Sequence, residues 1–331
     1  MRKLTLLSAA HFCVDLSCAA LFFGWLDKAA DWWLCMVLYN GCAFALQLPL
    51  GLVADRADRN LPFAAAGCTL VAVSFLLTAS PLPAAVICGL GNGMFHVGAG
   101  LEVLNDSHKA APLGVFVSPG AVGLYLGTVL ASRFVGFGWA LSLLMLLAVL
   151  GLLLAGKGRP VTHNAPPSLE LSKGDLLPLL CLFLVVVLRS WLGGGAFSTG
   201  DAQVSGLIPV LCLALGKAAG GFLGDRLGLR KTAVLSLGLT AILLFLPQGY
   251  LTLAALFLFN MTMPLTLMEA ARLLPGAKGG AFGFLTCALF VGMVPRFIGL
   301  TQKLPGPFWA GLVLLSLGLL WVGLKKEKTH G

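Results

Sequence analysis

The first apolar segment of the chain carries two ionisable residues four positions apart, His11 and Asp15. In a helix this spacing places both side chains on one face. At a rise of about 1.5 Å per residue, Asp15 would lie roughly 16 Å from the charged start of the segment, near the centre of a bilayer. A carboxylate at that depth is costly unless it is protonated, paired or hydrated. The pair could therefore load and release protons as its surroundings change, or it could be a static buried ion pair.

Two further ionisable residues interrupt later apolar segments. His96 stands among five glycines between positions 89 and 100, where it could be a structural residue or face a cavity. Arg189 keeps its charge, so it needs an anionic partner inside the membrane. Asp15 is one candidate for that partner, and an anionic group of a solute is the other.

Several polar residues of the second half have less distinctive settings. Arg296 follows Pro295 and could serve either a cavity or the packing of its helix. Lys217 lies on a glycine stripe suited to close packing and is expected to be structural. Asn260 precedes Pro264, which removes a backbone hydrogen bond and should kink the helix, so the amide of Asn260 could donate a hydrogen bond into a cavity.

The phrase Gly-x-x-x-Asp-Arg, followed shortly by a further Arg, occurs twice, 170 positions apart. Each aspartate could pair with an arginine or with a helix N-terminus, and the arginines could bind carboxylates or lipid phosphates. These loops are expected to form a latch between two halves at the cytoplasmic face, or simply to anchor the topology by positive charge. The residues are Gly51, Asp55, Arg56 and Arg59 in the first copy and Gly221, Asp225, Arg226 and Arg230 in the second.

The composition of the 331-residue chain excludes a water-soluble domain, because 58% of the residues are hydrophobic and only 11% are charged. The mean hydropathy is +0.95. Apolar segments of about twenty residues have the length of a membrane-spanning helix. We predict an all-α integral membrane protein with twelve spans, at about 4–25, 31–54, 61–80, 83–104, 111–132, 136–156, 175–196, 203–224, 230–248, 250–271, 280–301 and 306–324.

Loop charges predict the orientation of these spans. On one side of the membrane the loops hold only Lys28, Arg133 and Lys303, while the other Lys and Arg of the loops and termini fall on the opposite side. The positive-inside rule then makes both termini cytoplasmic, and it accounts for the net charge of +9 without nucleic acid. Residues 157–174 carry three prolines, which predicts a linker. The predicted domains are a six-helix bundle over 1–156, a cytoplasmic linker over 157–174 and a six-helix bundle over 175–331.

The nine cysteines lie within apolar segments, and none forms a Cys-x-x-Cys pair or a cluster with histidine. We expect them to serve packing, and we expect neither a metal site nor a cofactor. No segment resembles an ATP-binding loop, so a gradient of ions or solute would have to drive any transport. Glu102 and Glu269, near the inner ends of their spans, are expected to be solvated helix ends, with a gate ion pair as the alternative.

The duplicated loop at Asp55 and Asp225 resembles the signature of the major facilitator superfamily, and the resemblance covers essentially the whole chain. It implies two pseudo-symmetric bundles of six spans, with a central cavity lined by the first, fourth, seventh and tenth spans. A narrower resemblance is to the fosmidomycin-resistance type of efflux transporter. Its phrases are His11-Phe12-Cys13-Val14-Asp15, Gly91-Asn92-Gly93-Met94-Phe95-His96, Leu188-Arg189-Ser190 and Gly216-Lys217-Ala218-Ala219-Gly220-Gly221.

The narrower resemblance implies a secondary transporter, not an enzyme, that exports a small molecule in exchange for protons by alternating access. His11, Asp15 and His96 would carry protons, and Arg189 would bind an anionic or polar group of the solute. A monomer is expected because both halves lie in one chain. Its expected location is the lipid of the bacterial inner membrane. Uptake by symport is the second possibility. Two other functional classes are possible. The protein could be an intramembrane enzyme that uses the two histidines and Asp15 as metal ligands or as an acid–base set, or it could be a transport-inactive receptor.

Overall fold

The computed structural model describes residues 2–133, 136–157, 172, 174–197, 206–246, 249–299 and 304–325. Within these ranges the regular structure is entirely helical. The α-helices are α1 (Arg2–Gly24), α2 (Trp32–Asn40), α3 (Gln47–Ala57), α4 (Asn60–Ser74), α5 (Pro81–Asp106), α6 (Ala110–Arg133), α7 (Gly138–Gly156), α8 (Leu176–Gly195), α9 (Leu207–Leu227), α10 (Leu229–Phe245), α11 (Tyr250–Asn260), α12 (Thr262–Leu273), α13 (Lys278–Phe297) and α14 (Gly306–Gly323).

These helices build twelve spans in the described part of the chain, because two spans consist of two helices each. A π-helical turn at Gly41–Ala45 joins α2 and α3 into the span Trp32–Ala57. Eleven spans are long and apolar enough to cross a membrane, and the twelfth is α10, with 17 residues. The twelve predicted segments are confirmed, with bounds that differ by six residues or fewer.

The tenth span, Tyr250–Leu273, is interrupted at a single residue, Met261, between α11 and α12. Pro264 lies three residues later, in the first turn of α12, where its missing N–H leaves the carbonyl of Asn260 without a helical donor. The kink predicted from this proline is confirmed as a break in the helix.

Each half of the chain packs its helices in the same pattern. In the first half, α4 and α1 both pack against α5 and α7. In the second half, α10 and α8 both pack against α14, and each also contacts the tenth span through α12. The helices α1, α4 and α7 correspond to α8, α10 and α14 under the 170-residue repeat. The duplication therefore extends from the loops to the packing of the helices.

The chain forms two compact units whose bounds differ from the halves of the sequence. One comprises Met1–Asp106, Pro119–Leu169 and Gly276–Cys287, and the other comprises Ser107–Ser118, Glu170–Pro275 and Ala288–Gly331. Each unit thus includes the beginning of a helix from the opposite half, α13 in the first unit and α6 in the second. Residues 158–171 and 173 of the predicted linker lie outside the described residues, and the predicted domain boundaries stay a prediction.

Glycines allow the closest helix contacts in the second unit. A Cβ at Gly220 of α9 would collide with backbone atoms of Met261, which cannot move aside as a flexible side chain can. We expect Gly220→Ala to cost about 1–3 kcal/mol and to lower the midpoint of thermal unfolding in detergent by several degrees. Gly238→Ala is the control, because no described atom lies within 4 Å of the added Cβ and alanine favours helix. Equal midpoints for the two variants would contradict the contact.

Candidate functional site

Three side chains of the first unit bring their nitrogen and oxygen atoms together: His11 and Asp15 of α1 and His96 of α5. We refer to them as the His–Asp triad. The Nε2 atoms of the two histidines are 2.9 Å apart. One oxygen of Asp15 lies 3.2 Å from Nε2 of His11, and the other lies 3.6 Å from Nε2 of His96. The predicted shared face of His11 and Asp15 is confirmed, and the packing of α1 against α5 adds His96 to it.

Hydrogen bonding determines where the protons of the triad lie. His11 is only 5% exposed. The Nδ1 atom of His96 is 2.9 Å from the carbonyl oxygen of Asn92, and since a carbonyl only accepts, Nδ1 carries a proton. A neutral His96 therefore directs the lone pair of Nε2 toward His11, whose own Nε2 must donate. One proton therefore lies between the two Nε2 atoms.

The sequence reasoning missed two polar residues beside the triad. The amide nitrogen of Asn92 lies 3.5 Å from Oδ1 of Asp15 and 3.4 Å from the hydroxyl oxygen of Tyr39 on α2. Asn92 stands four residues before His96, so helical spacing alone could have included it. No pattern in the sequence connects Tyr39 to the triad, because its place depends on the packing of α2 against α5.

A glycine lets the backbone of α6 lie directly on the triad. A Cβ at Gly120 would collide with Nε2 of His11 and Oδ2 of Asp15, and Cβ atoms at Gly123 and Gly127 would collide with the backbone of α1. These glycines give α6 a close-packing face, and its partner is the helix that carries two of the three triad residues. Position 120 therefore has no room for a side chain while the triad keeps this geometry.

A second polar site, around Arg189 of α8, lies in the second unit. Arg189 is 9% exposed. It donates from Nη2 to the hydroxyl of Thr262 at 3.0 Å and from Nη1 to the hydroxyl of Thr266 at 3.2 Å. Its Nε has no hydrogen-bond partner among the described residues. The ion pairs in the described part of this unit join other residues. A buried guanidinium with neutral partners in its own unit is suited to bind an anion.

The two polar sites occupy corresponding places in the repeat. The shift of 170 positions that relates the two loops also places Thr262 on Asn92 and Thr266 on His96. In the first half these fourth-span positions face the histidine and aspartate of α1, and in the second half they bind Arg189 of α8. The duplicated framework therefore carries two histidines and an aspartate in one half and a buried arginine in the other.

Three further polar residues of the second half have the following surroundings. Asn260 donates to the carbonyl oxygen of Leu256 in its own helix at 2.8 Å. Arg296 is exposed in the last turn of α13. Lys217 of α9 donates to a backbone carbonyl of α6 at 3.3 Å, which agrees with the structural role expected for it. Roles of Asn260 and Arg296 in a cavity stay predictions.

Both repeat loops use their aspartate to cap a helix. Asp55 accepts hydrogen bonds from two consecutive backbone N–H groups at the start of α13, both at 2.8 Å. Asp225 accepts two from the start of α6, at 2.8 and 2.9 Å. The unpaired N–H groups and the dipole of a helix N-terminus both favour a carboxylate there. Since each capped helix comes from the opposite half of the sequence, these contacts account for the composition of the two compact units.

The other loop residues differ in their contacts. Gly51 and Gly221 lie against the backbone at the starts of α13 and α6, where a Cβ would collide with main-chain atoms. Arg230 donates to the carbonyl oxygen of Leu324 at 2.6 Å and lies over the ring of Trp321 at 5.1 Å. The remaining loop arginines are exposed: Arg56, Arg59 and Arg226.

The cap formed by Asp225 can be tested by removing its charge. We expect Asp225→Asn to lower the free energy of unfolding by about 0.3–1 kcal/mol, because the amide loses both the charge and one acceptor oxygen. Asp31→Asn is the matched control, since Asp31 also precedes a helix but its side chain makes no capping hydrogen bond. Thermal unfolding in detergent should separate the two variants, and equal midpoints would contradict the cap.

The two glutamates expected to be solvated helix ends are instead covered, and that expectation was wrong. Glu269 is 3% exposed and accepts a hydrogen bond from the backbone N–H of Lys325 at 2.9 Å. Glu102 accepts from Lys3 at 2.6 Å and from Asn60 at 3.0 Å. Residues near the two ends of the chain cover these helix ends, which a hydrophobicity pattern does not reveal.

No protein-family model matches the sequence, and no curated protein does. The fold, however, is similar to solved transporters along nearly the whole chain. The E. coli fucose:proton symporter has a TM-score of 0.67 at 15% identity, covering 98% of both chains. The human organic anion transporter MFSD10 has a TM-score of 0.70 at 17% identity, covering 96% of this chain and 99% of that one. A bacterial homologue of the iron transporter ferroportin has a TM-score of 0.68 at 13% identity, covering 98% of both chains.

These similarities confirm the predicted fold class. The described residues form an all-α integral membrane fold with twelve spans in two sets of six, the fold of the major facilitator transporters. The compared proteins are transporters rather than enzymes. Identities of 13–17% establish the fold alone, so the resemblance to the fosmidomycin-resistance type stays a prediction.

Proposed function

We propose that the protein is a secondary transporter of the major facilitator superfamily that moves a small anionic solute by alternating access, coupled to protons. The proposal depends on one observation: the cluster of His11, Asp15 and His96 in one unit and, at the corresponding helices of the other, the buried Arg189, whose partners among the described residues are neutral. We place the protein in a bacterial inner membrane as a monomer with both termini cytoplasmic. It is a transporter and has no catalytic role.

Proton coupling would use the geometry of the triad. A shift of α1 against α5 changes the distances among His11, Asp15 and His96, and so changes how strongly the triad holds a proton. The carboxylate caps at Asp55 and Asp225 would act as the latch, because a rearrangement of the helices must break and remake them. Membrane-embedded ionisable residues with this arrangement are typical of proton relays in transporters.

The class of solute follows from Arg189 rather than from the fold. The proteins of similar fold include a fucose:proton symporter, an organic anion transporter and a homologue of an iron transporter, so the fold is compatible with several solutes. A guanidinium with one N–H free of any described partner can donate a charge-assisted hydrogen bond to a carboxylate or phosphate. We therefore infer an anionic solute.

Export in exchange for protons is the favoured direction, because the phrases around His11, His96 and Arg189 resemble an efflux type. Uptake by symport is the second candidate, and it is favoured by the similar fold of a fucose:proton symporter. The sign of the proton movement that accompanies the solute distinguishes the two: exchange moves protons against the solute, and symport moves them with it.

A two-step experiment tests the function. Purified protein is first screened by thermal shift against organic anions, organic cations and sugars, and we expect only anions to raise the unfolding midpoint. The compounds that bind are then added to proteoliposomes that contain the pH-sensitive dye pyranine. Solute-dependent proton movement is the expected result. A solute flux that is unchanged by an imposed pH gradient would contradict the proposed proton coupling. Solute binding without any counterflow would indicate a transport-inactive receptor.

A further inference from the structure

We propose that the His–Asp triad is also a binding site for one exchangeable divalent transition-metal cation, such as Zn²⁺ or Co²⁺. Its donor set is two imidazole nitrogens and a carboxylate oxygen, all within 4.8 Å of one another. Imidazole and carboxylate donors suit Zn²⁺, Co²⁺ and Fe²⁺, whereas Ca²⁺ and Mg²⁺ require a shell made of oxygen atoms. The donor chemistry therefore selects a transition metal.

The donor atoms of the triad can be compared with a tetrahedral ligand set. With metal–ligand bonds of about 2.0–2.1 Å, neighbouring ligand atoms lie roughly 3.3–3.4 Å apart. The two Nε2 atoms are 2.9 Å apart, and the two oxygens of Asp15 lie 3.2 Å from His11 and 3.6 Å from His96. With a single carboxylate oxygen as the ligand, the three donor atoms lie within 4.8 Å of one another, so the Asp15 carboxylate and the imidazole rings must move closer together to complete three bonds.

His96 already has the orientation of a metal ligand. Its Nδ1 donates to the carbonyl oxygen of Asn92 at 2.9 Å, and such an outer hydrogen bond usually sets the tautomer of a metal-binding histidine. The Nε2 lone pair is thereby directed at His11 and Asp15. Acceptor atoms that face one another at these distances repel unless a cation lies between them, and both a proton and a metal ion satisfy that condition.

The site is expected to exchange its metal. Three protein ligands leave one tetrahedral position for water or a solute, unlike the four ligands of a closed structural site. A metal ion would use the same lone pairs as the protons of the triad, so one ligand excludes the other. The expectation of no metal site rested on the cysteines, and the two histidines and Asp15 were possible metal ligands only under the enzyme alternative; the packing of α1 against α5 brings these three residues together.

Titration of metal-free protein in detergent with Co²⁺ tests the proposal, because nitrogen- and oxygen-bound Co²⁺ absorbs visible light. We expect one Co²⁺ per chain, displaced by Zn²⁺. His11→Gln and His96→Gln should weaken binding by about 100-fold or more, since even the loss of a residue that orients a ligand costs about 10- to 100-fold. His108→Gln changes an exposed histidine outside the triad and should bind as the wild type does.

Gly120→Ala provides a second variant that changes no ligand. Its Cβ would press on the ends of the His11 and Asp15 side chains, which can move aside without unfolding the helices. We expect Co²⁺ to bind this variant about tenfold more weakly than the wild type, within the range for altered support of a ligand.

Three results would overturn the proposal: no visible absorption, unchanged affinity in both histidine variants, or the intense near-ultraviolet absorption of a cobalt–thiolate bond. The last would place the metal on a cysteine such as Cys13. Metal binding at the triad without solute-dependent proton flux would leave this proposal standing and remove the proposed proton coupling. Proton flux without metal binding would remove the proposed metal site and leave the proposed proton coupling standing.

Discussion

Replacement of Asp15 by asparagine is expected to abolish solute-dependent proton movement while solute exchange continues. Asparagine keeps the size of aspartate and its hydrogen-bonding capacity toward His11, but it cannot bind and release a proton. In pyranine-loaded proteoliposomes, proton flux should fall by about tenfold or more, which corresponds to about 1.4 kcal/mol or more. Counterflow of labelled solute without a pH gradient should stay close to that of the wild type.

Asp31→Asn is the control for this experiment, because Asp31 is an exposed carboxylate at the start of α2. It should leave both proton flux and counterflow unchanged. If Asp15→Asn kept its proton flux, the triad would not be the coupling site. If counterflow were lost together with proton flux, Asp15 would belong to the solute site instead.

Replacement of Arg189 by glutamine should weaken binding of the anionic solute by about 30-fold or more. Removing one partner of a buried, hydrogen-bonded charge pair costs about 2–5 kcal/mol of binding free energy. A loss of about 2 kcal/mol corresponds to an affinity about 30-fold weaker. Affinity is measured by isothermal titration with an anion identified in the thermal-shift screen. Lys231→Gln removes an exposed positive charge from the same half and should leave the affinity unchanged.

Arg189→Lys distinguishes a shaped site from simple charge attraction. The guanidinium donates to Thr262 and Thr266 through two different nitrogens, and a single ammonium cannot reproduce that planar arrangement. We expect lysine to restore only part of the affinity lost in Arg189→Gln. Full restoration of the affinity in Arg189→Lys would show that charge alone attracts the solute. An unchanged affinity in Arg189→Gln would show that Arg189 does not bind the solute.

The spans and the repeat were predictable because each follows from local chemistry. A backbone in lipid must satisfy its own hydrogen bonds, so every apolar run of sufficient length becomes a helix. The aspartates of the repeated loop were predicted to pair with an arginine or with a helix N-terminus, and both cap a helix N-terminus. Which helix each one caps was not predictable, because Asp55 and the start of α13 are separated by more than two hundred residues.

The partners of the ionisable residues were harder to predict. The helical spacing of His11 and Asp15 placed them on one face, but the contact with His96 depends on the rotation of α5 against α1. For Arg189 the sequence left Asp15 or an anionic solute as the partner, and the structure shows two hydroxyls, Thr262 and Thr266. The 170-residue shift from Asn92 and His96 was the signal that could have identified those threonines.

The sequence by itself determined that this protein is a duplicated helical membrane protein with ionisable residues at mid-span, because segment length and loop charge act locally along the chain. Only the tertiary structure decided which ionisable groups meet. Helices in lipid associate through close packing of many small contacts, such as Gly120 against the triad, and their rotations and crossings are set by all of those contacts together. The chemistry of the site therefore depends on distances that no single segment of the chain encodes.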